Sequence, residues 1–301
     1  MGELLQTSWS QIGVSAAENL TDIARACPAC GRSAAHLLRF RANSCDILQC
    51  KGCGLGRSEA SGFEPAAYYT EDYFSGGHAD GYADYLGAEP VLRREFARSV
   101  DFIRRYRSNG RLLELGCAYG FFLQEAARYF EVAGIELAEE AAAHGRRAGL
   151  NILSGAADAE SLRQIGHVDV IVLLDVIEHL PQPRETLELC CQHLNPGGII
   201  VITTGDFGSA VARLAGARWR LMTPPQHLWF FTQDSMRRMS ASLGLSMAHV
   251  DHPWKTVPAS LIAFQLRRML GLSPARPAAS SSIGVPLNLF DAMRVVLRKP
   301  L

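Results

Sequence analysis

Short apolar runs alternate with segments of helical spacing through the second half of the sequence. The runs at 168–174 and 198–203, VDVIVLL and GIIVIT, have few polar positions. Strands of this composition are buried on both faces, which is typical of a parallel sheet with helices packed on each side. The alternation therefore predicts an α/β fold built on a doubly wound, mostly parallel sheet.

The same periodicity gives approximate bounds for the individual elements. Strands are predicted at 111–116, 131–136, 150–154, 168–174, 198–203, 245–250 and 292–300. Helices are predicted at 120–129, 138–148, 158–165 and 183–194, and two more within 90–106 and 233–244.

Four cysteines near the start of the chain form two CxxC pairs. Cys27 and Cys30 stand in CPACG, and Cys50 and Cys53 stand in CKGCG, with nineteen residues between the pairs. This spacing predicts a zinc ribbon, in which four thiolates hold one Zn²⁺. Two disulfides are the alternative, which a reducing compartment disfavours. Because a four-thiolate site has no open position for chemistry, the expected role of the ribbon is structural or recognition.

The charge of the chain is balanced. Thirty basic residues cancel thirty acidic ones, and within residues 1–65 six Lys or Arg balance six Asp or Glu. A nucleic-acid binder usually carries a basic excess, so nucleic acid is not the expected partner. The sequence starts without the apolar region of a signal peptide, and no apolar run reaches the roughly 20 residues that span a bilayer. These features predict a cytoplasmic protein without a transmembrane helix.

A glycine-marked turn follows the strand predicted at 111–116, in the text ELGCAYG from Glu114 to Gly120. It lacks the third glycine of the G-x-G-x-x-G turn that binds a dinucleotide pyrophosphate. An acid, Glu114, stands on the strand just before the turn. Such a site suits a ligand that carries a positive charge instead of phosphates. Glu136 ends the next predicted strand, where an acid can accept hydrogen bonds from both hydroxyls of a ribose.

The turn ELGCAYG resembles motif I, E/D-x-G-x-G-x-G, of the class I S-adenosylmethionine-dependent methyltransferases, with Ala118 in place of the middle glycine. VDVIVLLDVIEHLPQP and LNPGGIIVITT resemble the fourth strand, the following helix and the entry to the fifth strand of that family. The similarity covers about 105–250, and the final strand also matches. It points to the branch that includes quinone-precursor, glycan and natural-product methyltransferases. It implies a Rossmann-like sheet with an antiparallel last strand.

The resemblance also implies a site for S-adenosylmethionine at this turn. Glu114 would act near the methionine amino group, Glu136 at the ribose, and Asp158 in GAADAES at the adenine amino group. The other implied cofactor-binding residues are Gly116, Cys117, Ala118, Gly120, Leu137, Asp175 and Tyr73. An NAD-dependent enzyme is the alternative interpretation of the same fold.

Four polar residues after the fourth and fifth strands are the expected catalytic group. Asp175, Glu178 and His179 are spaced i, i+3, i+4, so they can share one face of a turn. His227, in TPPQHLWFF, is expected to close the same site, and the two histidines are the expected proton acceptors. The set resembles the DxxEH pattern through which some methyltransferases hold magnesium or another metal. A divalent ion at the four residues is therefore one interpretation, and helix capping with pocket lining is the other.

The expected organisation has three parts: a zinc ribbon at 22–60, a tyrosine-rich connector with a lid helix at 61–105, and a methyltransferase domain at 106–301. In the connector, Tyr73 and Tyr82 are expected either to touch the cofactor or to pack the ribbon against the domain. An insertion at about 251–289 precedes the last strand. Its basic apolar segment at 260–272 either covers the domain or lies on an anionic membrane surface.

Together these features predict an enzyme that methylates a small molecule by in-line transfer, with a sugar, a lipid-linked glycan or another secondary metabolite as acceptor. An RNA methyltransferase that uses the ribbon as a reader is a second hypothesis. A non-catalytic module that keeps the cofactor-binding fold is a third.

Overall fold

The computed structural model describes residues 23–31, 33–60, 62–75, 84–259, 262–263 and 283–301. These residues form a five-stranded sheet, a seven-stranded sheet and a two-stranded hairpin. Tyr82 and nearly all of the segment 260–272 lie outside the described residues.

The first four strands form an antiparallel meander that we call the ribbon. They are β1 (Ile23–Ala26), β2 (Ser33–Ala42), β3 (Cys45–Cys50) and β4 (Gly56–Ser58). Asn43 and Ser44 both have positive φ, as the tight turn between β2 and β3 requires. Cys27 follows β1 directly and Cys50 ends β3, so the meander brings the two CxxC turns to the same end of the sheet.

The connector comprises residues 61–105, and its described part contains three helices. They are α1 (Pro65–Tyr68), α2 (Glu71–Ser75) and α3 (Glu89–Arg104). The helix predicted from the amphipathic pattern at 90–106 is α3. Pro90 lies in its first turn, where proline is well tolerated, and the helix buries Val91, Val100 and Ile103 against the large domain.

The large domain begins with the predicted alternation. Its strands are β5 (Arg111–Leu115), β6 (Glu131–Glu136), β7 (Asn151–Ser154), β8 (Val168–Leu174) and β9 (Leu194–Gly205). The helices between them are α4 (Phe121–Ala126), α5 (Glu139–Arg147), α6 (Ala159–Ile165) and α7 (Pro183–His193). Two strands, β6 and β8, have the predicted bounds, whereas β9 begins four residues earlier than predicted.

The remaining elements complete both sheets. They are α8 (Ala210–Ala215), β10 (Trp229–Phe230), α9 (Gln233–Ser242), β11 (Ser246–Asp251), β12 (Lys255–Pro258), β13 (Gly284–Leu287) and β14 (Ala292–Arg298). Short 3₁₀ turns occur at Ile177–His179 and Gly216–Arg218. Within the insertion predicted at about 251–289, β12 and β13 pair as an antiparallel hairpin.

The large sheet has the order β11-β14-β9-β8-β5-β6-β7. Strands β5 to β9 are parallel, and β14 runs antiparallel to both β9 and β11, which confirms the predicted fold class. Strand β6 pairs with one side of β5, and β8, which comes later in the chain, pairs with the other side of β5. The order therefore reverses between β5 and β8, and ligands of such sheets bind at the carboxyl ends of the strands flanking this point.

Both faces of the sheet are buried. Leu113 and Ile171 lie in the apolar cluster on one face, and Leu112 and Val170 lie in the cluster on the other. Each fully buried Leu or Ile contributes about 1.5–3 kcal/mol to folding, so this core anchors the strand ends that carry the site. Among the helices that the structure describes, none combines the length and apolar character needed to cross a bilayer.

The ribbon shares a sheet with the large domain. Strand β10, which follows His227 by one residue, pairs antiparallel with β4, with Trp229 opposite Arg57 and Phe230 opposite Gly56. The five-stranded sheet thus has the order β1-β2-β3-β4-β10. The Arg184 guanidinium, on α7, also donates to the Pro28 carbonyl oxygen (3.2 Å). These contacts fix the ribbon beside the carboxyl edge of the large sheet.

Candidate functional site

The glycine-marked turn joins β5 to α4 at the reversal point of the sheet. Gly116 (φ +69°), Ala118 (φ +46°) and Gly120 (φ +80°) all have left-handed backbone conformations. A Cβ at Gly116 would lie 2.7 Å from Val176 Cγ2, so the packing as well as the dihedral angle requires glycine. Ala118 accepts the strain that the middle glycine of the resembled motif avoids.

Glu114 and Glu136 are both buried beside this turn, at 3% and 6% exposure. The Ala118 amide donates to Glu136 Oε2 (2.7 Å), and the Ala138 amide donates to Glu136 Oε1 (2.8 Å). Within the described part of the chain, Glu114 Oε2 has no hydrogen-bond partner. Desolvation raises the pKa of Glu114 well above its usual value, and the nearby Glu136 raises it further. Desolvation also raises the pKa of Glu136, against the effect of its amide donors.

Two acids this close without a cation are an incomplete electrostatic arrangement, because burying a carboxylate without a charge partner is costly. A positively charged ligand over the turn would supply the missing partner. Glu136 oxygens retain lone pairs beyond the two amide bonds, so the same residue can still accept from a ligand hydroxyl.

The other predicted cofactor residues have different environments. Cys117 is buried, and its thiol packs against β6 at Gly134. Leu137, half-buried, follows Glu136 directly. Asp158 is exposed and caps α6 through a capping box: its Oδ1 accepts from the Ser161 amide (2.9 Å), and its own amide donates to Ser161 Oγ (3.0 Å). The structure thus gives Asp158 a helix-capping role that accounts for it without a ligand.

Aromatic residues of the connector cover the glycine turn. Phe74 contacts Tyr119 edge to face (5.3 Å between ring centroids), and Tyr85 stacks on Phe121 (5.6 Å). Tyr73 contacts Phe74 edge to face (5.2 Å) at the margin of this cluster. The connector therefore packs on the predicted cofactor loop, as a cover that excludes water would.

Asp175 follows β8 across the reversal point and has a positive φ of +56°. Its carboxylate is 45% exposed and pairs with the Lys255 ammonium of β12 (2.7 Å), while the Thr203 hydroxyl donates to it (2.9 Å). Loss of water around the carboxylate raises its pKa, but Lys255 and Thr203 outweigh this effect and hold the pKa below its usual value. The pair links the insertion hairpin to the carboxyl edge of the sheet.

Glu178, His179 and His227 form what we call the edge cluster. One ligand atom from each residue lies within 4.8 Å of the others, and the two imidazole centroids are 4.6 Å apart. Asp175 does not belong to this group. Burial raises the pKa of Glu178 to about 8, helped by the charge of Asp175. Burial lowers the pKa of His179 to about 4 and that of His227 to about 3, so both imidazoles are neutral at pH 7.

Hydrogen bonds to carbonyl oxygens define the tautomer of each histidine. His179 Nδ1 lies 2.9 Å from the Gln226 carbonyl oxygen, and His227 Nδ1 lies 2.8 Å from that of Leu221. Because a carbonyl oxygen only accepts, Nδ1 must carry the proton in both neutral rings, and Nε2 keeps its lone pair. Metal-binding histidines and general bases are both oriented in this way.

Two further residues of this region were not predicted from sequence. The Tyr69 hydroxyl lies 2.7 Å from His179 Nδ1, and its oxygen accepts from the same N–H as the Gln226 carbonyl. The two residues are 110 positions apart in the chain. Lys255 reaches Asp175 across 80 residues. The tyrosine-rich composition of the connector was the only signal for Tyr69, and nothing local marked Lys255.

The four cysteines of the ribbon form what we call the cysteine cluster. Cys27, Cys30, Cys50 and Cys53 offer sulfur atoms within 4.8 Å of one another, and all are free thiols. The Cys27 and Cys53 sulfurs are 3.5 Å apart, and those of Cys30 and Cys50 are 3.9 Å apart. Four sulfurs at about 2.3 Å around a tetrahedral Zn²⁺ would be roughly 3.8 Å from each other. The cluster is therefore compatible with a metal ion.

A family model described as a methyltransferase domain matches residues 90–250. The ubiquinone biosynthesis O-methyltransferase of Caulobacter sp. (strain K31) is 33% identical over 144 residues, which cover 44% of this chain and 57% of that protein. The protein of the same name from Cupriavidus pinatubonensis is 26% identical over 153 residues, 46% of this chain and 61% of that protein. The chain thus spans about three fifths of the length of these curated relatives.

Among solved structures, the magnesium protoporphyrin IX methyltransferase of Synechocystis PCC 6803 with bound SAH is similar to 71% of this chain, over 86% of its own length. The sequence identity is 10% and the TM-score 0.45.

Proposed function

Because the chain belongs to the methyltransferase domain family, we propose that it transfers a methyl group from S-adenosylmethionine to a small-molecule acceptor. The observation that carries the proposal is the pair of buried acids at the glycine turn, of which Glu114 has an unpartnered oxygen. A ligand with a cationic centre compensates this arrangement, whereas a dinucleotide pyrophosphate would be repelled by it. This favours the methyltransferase over the NAD-dependent alternative.

The cofactor supplies a methyl group bonded to a positively charged sulfur. The residues that would hold it are Glu114, Glu136 and the turn 116–120, with the aromatic cover of the connector above them. In-line transfer requires the acceptor oxygen, the methyl carbon and the sulfur to be held in a row with water excluded. A tight turn on a buried strand would hold the cofactor in place, and the packed aromatic cover would exclude water.

The edge cluster is our proposed catalytic group. It lies after β8, across the reversal point from the glycine turn, so an acceptor bound beside it would face the cofactor. His179 and His227 are neutral and present unprotonated Nε2 atoms, so either can take the proton that an acceptor hydroxyl loses. A placed base of this kind contributes about 10²–10⁴ in rate.

A divalent ion at the edge cluster is the alternative to a histidine base, because both would use the same Nε2 lone pairs. The residues fit such an ion: two imidazoles are oriented by backbone carbonyls, and within the described chain Glu178 Oε2 lacks a hydrogen-bond partner. The ion would lower the pKa of an acceptor hydroxyl. Asp175 is engaged by Lys255, so we propose three protein ligands instead of the four expected from sequence.

We further propose that the cysteine cluster holds a structural Zn²⁺. Four closely spaced thiols in two CxxC turns match the preferred ligand set of zinc. The balanced charge of residues 1–65 argues against the hypothesis that the ribbon reads RNA.

The acceptor group is inferred from the curated relatives. Two curated relatives are named as O-methyltransferases of ubiquinone biosynthesis, so a hydroxyl on a small molecule is the expected acceptor group. A sugar, a lipid-linked glycan or another secondary metabolite remains our proposal for this chain. An incubation of the protein with isotopically labelled cofactor and a host metabolite extract tests this acceptor class directly. The compound that becomes labelled is the acceptor.

Calorimetry with S-adenosylmethionine tests the cofactor assignment. We expect Glu114→Gln to weaken binding by about 10- to 100-fold, since it removes one charge-assisted interaction. Asp169→Asn is the matched control: Asp169 pairs with Arg107 (2.7 Å) at the amino end of β8, on the opposite edge of the sheet. It should leave the affinity unchanged. Absence of binding by the unmodified protein would favour the non-catalytic hypothesis.

A further inference from the structure

A groove of about 470 Å³ lies between the ribbon and the large domain. The ribbon side is formed by the residues 57–60, and Phe63 of the connector closes one end. The domain side is formed by Pro181, Leu228 and Trp229. A volume of this size is within the range of small-molecule sites, about 300–1,000 Å³.

The groove adjoins the edge cluster through the backbone. Pro181 stands two residues after His179, and Leu228 directly follows His227. The Leu228 amide donates to the Glu178 carbonyl oxygen (2.9 Å), and the Ser58 amide donates to the Leu228 carbonyl oxygen (2.9 Å). One wall of the groove is therefore built from the same two segments that carry the proposed catalytic group.

The groove is lined by aromatic rings and by an ion pair. The Arg57 guanidinium carbon lies 5.7 Å from the centroid of the Trp229 ring. Arg57 Nε lies 2.9 Å from Glu59 Oε1, and each of these side chains is 31% exposed. Arg57 and Glu59 carry opposite charges, so the lining offers both donors and acceptors. Arg25, outside the lining, also approaches Glu59 Oε2 (3.9 Å).

This chemistry discriminates between ligand classes. A phosphate or carboxylate would meet Glu59 as well as Arg57, and like charges repel. A phenol with one or two hydroxyls would use them at the edge cluster and leave the ion pair without a ligand partner. A sugar ring carries hydroxyls around its whole edge and has apolar C–H faces. It can therefore bind the ion pair and pack on an aromatic wall, and still present a further hydroxyl on the side of the groove that adjoins the edge cluster.

We propose that this groove is the acceptor subsite and that the acceptor part it holds is an uncharged, polyhydroxylated sugar ring. The proposal rests on the proposed methyltransferase function and narrows it to one acceptor class. Trp229 and Phe63 provide the apolar walls, and Arg57 and Glu59 bind hydroxyls that are not methylated. The ribbon, in this arrangement, contributes directly to acceptor specificity.

Saturation-transfer NMR with the full-length protein tests the subsite, with the methyl pyranosides of glucose, galactose, mannose and rhamnose as probes. Each probe is measured with and without S-adenosylhomocysteine. We expect at least one probe to bind, and both Arg57→Gln and Glu59→Gln to weaken it about tenfold, which corresponds to the loss of one charge-assisted hydrogen bond. Arg41→Gln is the matched control, since Arg41 forms a similar exposed ion pair with Asp46 elsewhere on the ribbon.

The other ligand classes give different results in the same variants. Inorganic phosphate as the preferred ligand would bind more tightly to Glu59→Gln and more weakly to Arg57→Gln, which contradicts the proposal. Catechol binding that neither variant changes also contradicts it, as does the absence of binding by every pyranoside. Calorimetry with S-adenosylmethionine is run in parallel, so that a failure of the cofactor assignment is recognised separately from a failure of the subsite.

Discussion

The cysteine cluster and the edge cluster both gather residue types that bind metals, but their polar atoms are satisfied to different degrees. In the ribbon, four sulfurs face one another in two tight turns, a complete ligand set that leaves no position open. At the edge of the large sheet, Glu178 Oε2 lacks a partner among the described residues, and each histidine keeps an unprotonated nitrogen.

The difference teaches how a structural site can be told from a functional one. Buried polar groups are normally paired, so each unpaired one needs a reason. In the ribbon, the Zn²⁺ that we propose would supply that reason by binding all four thiolates. Around the reversal point of the large sheet, Glu114 and Glu178 are both buried and incompletely paired. Buried acids with an unpaired oxygen on both sides of the reversal point are what a ligand-binding crevice predicts.

The largest expected effect concerns the cysteine cluster. We expect Cys53→Ser to lose bound zinc and to lower the free energy of unfolding by several kcal/mol, because the binding energy of a structural zinc is folding energy. Cys45→Ala is the control, since Cys45 is buried in the ribbon but outside the cluster. It should keep the metal and cost about 1 kcal/mol. Native mass spectrometry and denaturant unfolding measure both, and a stable, metal-free Cys53→Ser protein would contradict the assignment.

Substitutions at the edge cluster should lower the rate of methyl transfer without changing the fold of the ribbon. We expect His179→Ala and His227→Ala each to reduce methyl transfer by about 10²–10⁴ while zinc content stays unchanged. His193→Ala serves as control, because His193 also bonds a carbonyl oxygen through Nδ1, that of Leu189 (2.9 Å), but lies at the end of α7. Full activity of both edge variants in a radiolabel transfer assay would refute a catalytic role.

The pH dependence of cofactor binding should reflect the buried acids. The pKa of Glu114 is raised in the free protein, so its proton must leave before the carboxylate can pair with a cation. The affinity for S-adenosylmethionine should therefore increase as the pH rises above about 4.3, the ordinary pKa of a glutamate side chain. The increase should end at the pH where Glu114 is ionised in the free protein. For the ligand-free protein the sign is opposite: a raised folded-state pKa means that stability is lost as pH rises through this range. Glu114→Gln should flatten both profiles, measured by calorimetry and by urea unfolding.

The smallest expected effect separates two roles of Asp158. As a helix cap, Asp158→Ala should lower stability by about 1 kcal/mol, whereas Asp158→Ser should retain most of it because Ser is also a good cap. If Asp158 also binds adenine, Asp158→Ser should weaken S-adenosylmethionine binding although the fold is intact. Unchanged affinity in Asp158→Ser leaves capping as its role.

Much of the large domain could be predicted from local sequence. β6 and β8 were predicted with their observed bounds, and the order of strands and helices follows the predicted alternation. The glycine turn and the paired CxxC motifs were also visible. These features depend on periodicity and spacing over a few residues, which the chain geometry itself imposes.

The assembly of the site could not be predicted in the same way. The Asp175–Lys255 pair, the Tyr69–His179 contact and the addition of β10 to the ribbon sheet join residues separated by 80 to more than 170 positions. Local patterns marked Asp175 and His179, but no local pattern shows which distant residue each of them contacts.

The sequence by itself determined the buried parallel strands, the turn that left-handed residues make after β5, and the two pairs of thiols, because each follows from backbone geometry and side-chain chemistry at close range. The tertiary structure decided which carboxylate joins the histidines, which nitrogen each imidazole presents, and how the ribbon borders the crevice. These choices depend on packing between distant segments, where burial and hydrogen-bond satisfaction select one arrangement among many that the same residues permit.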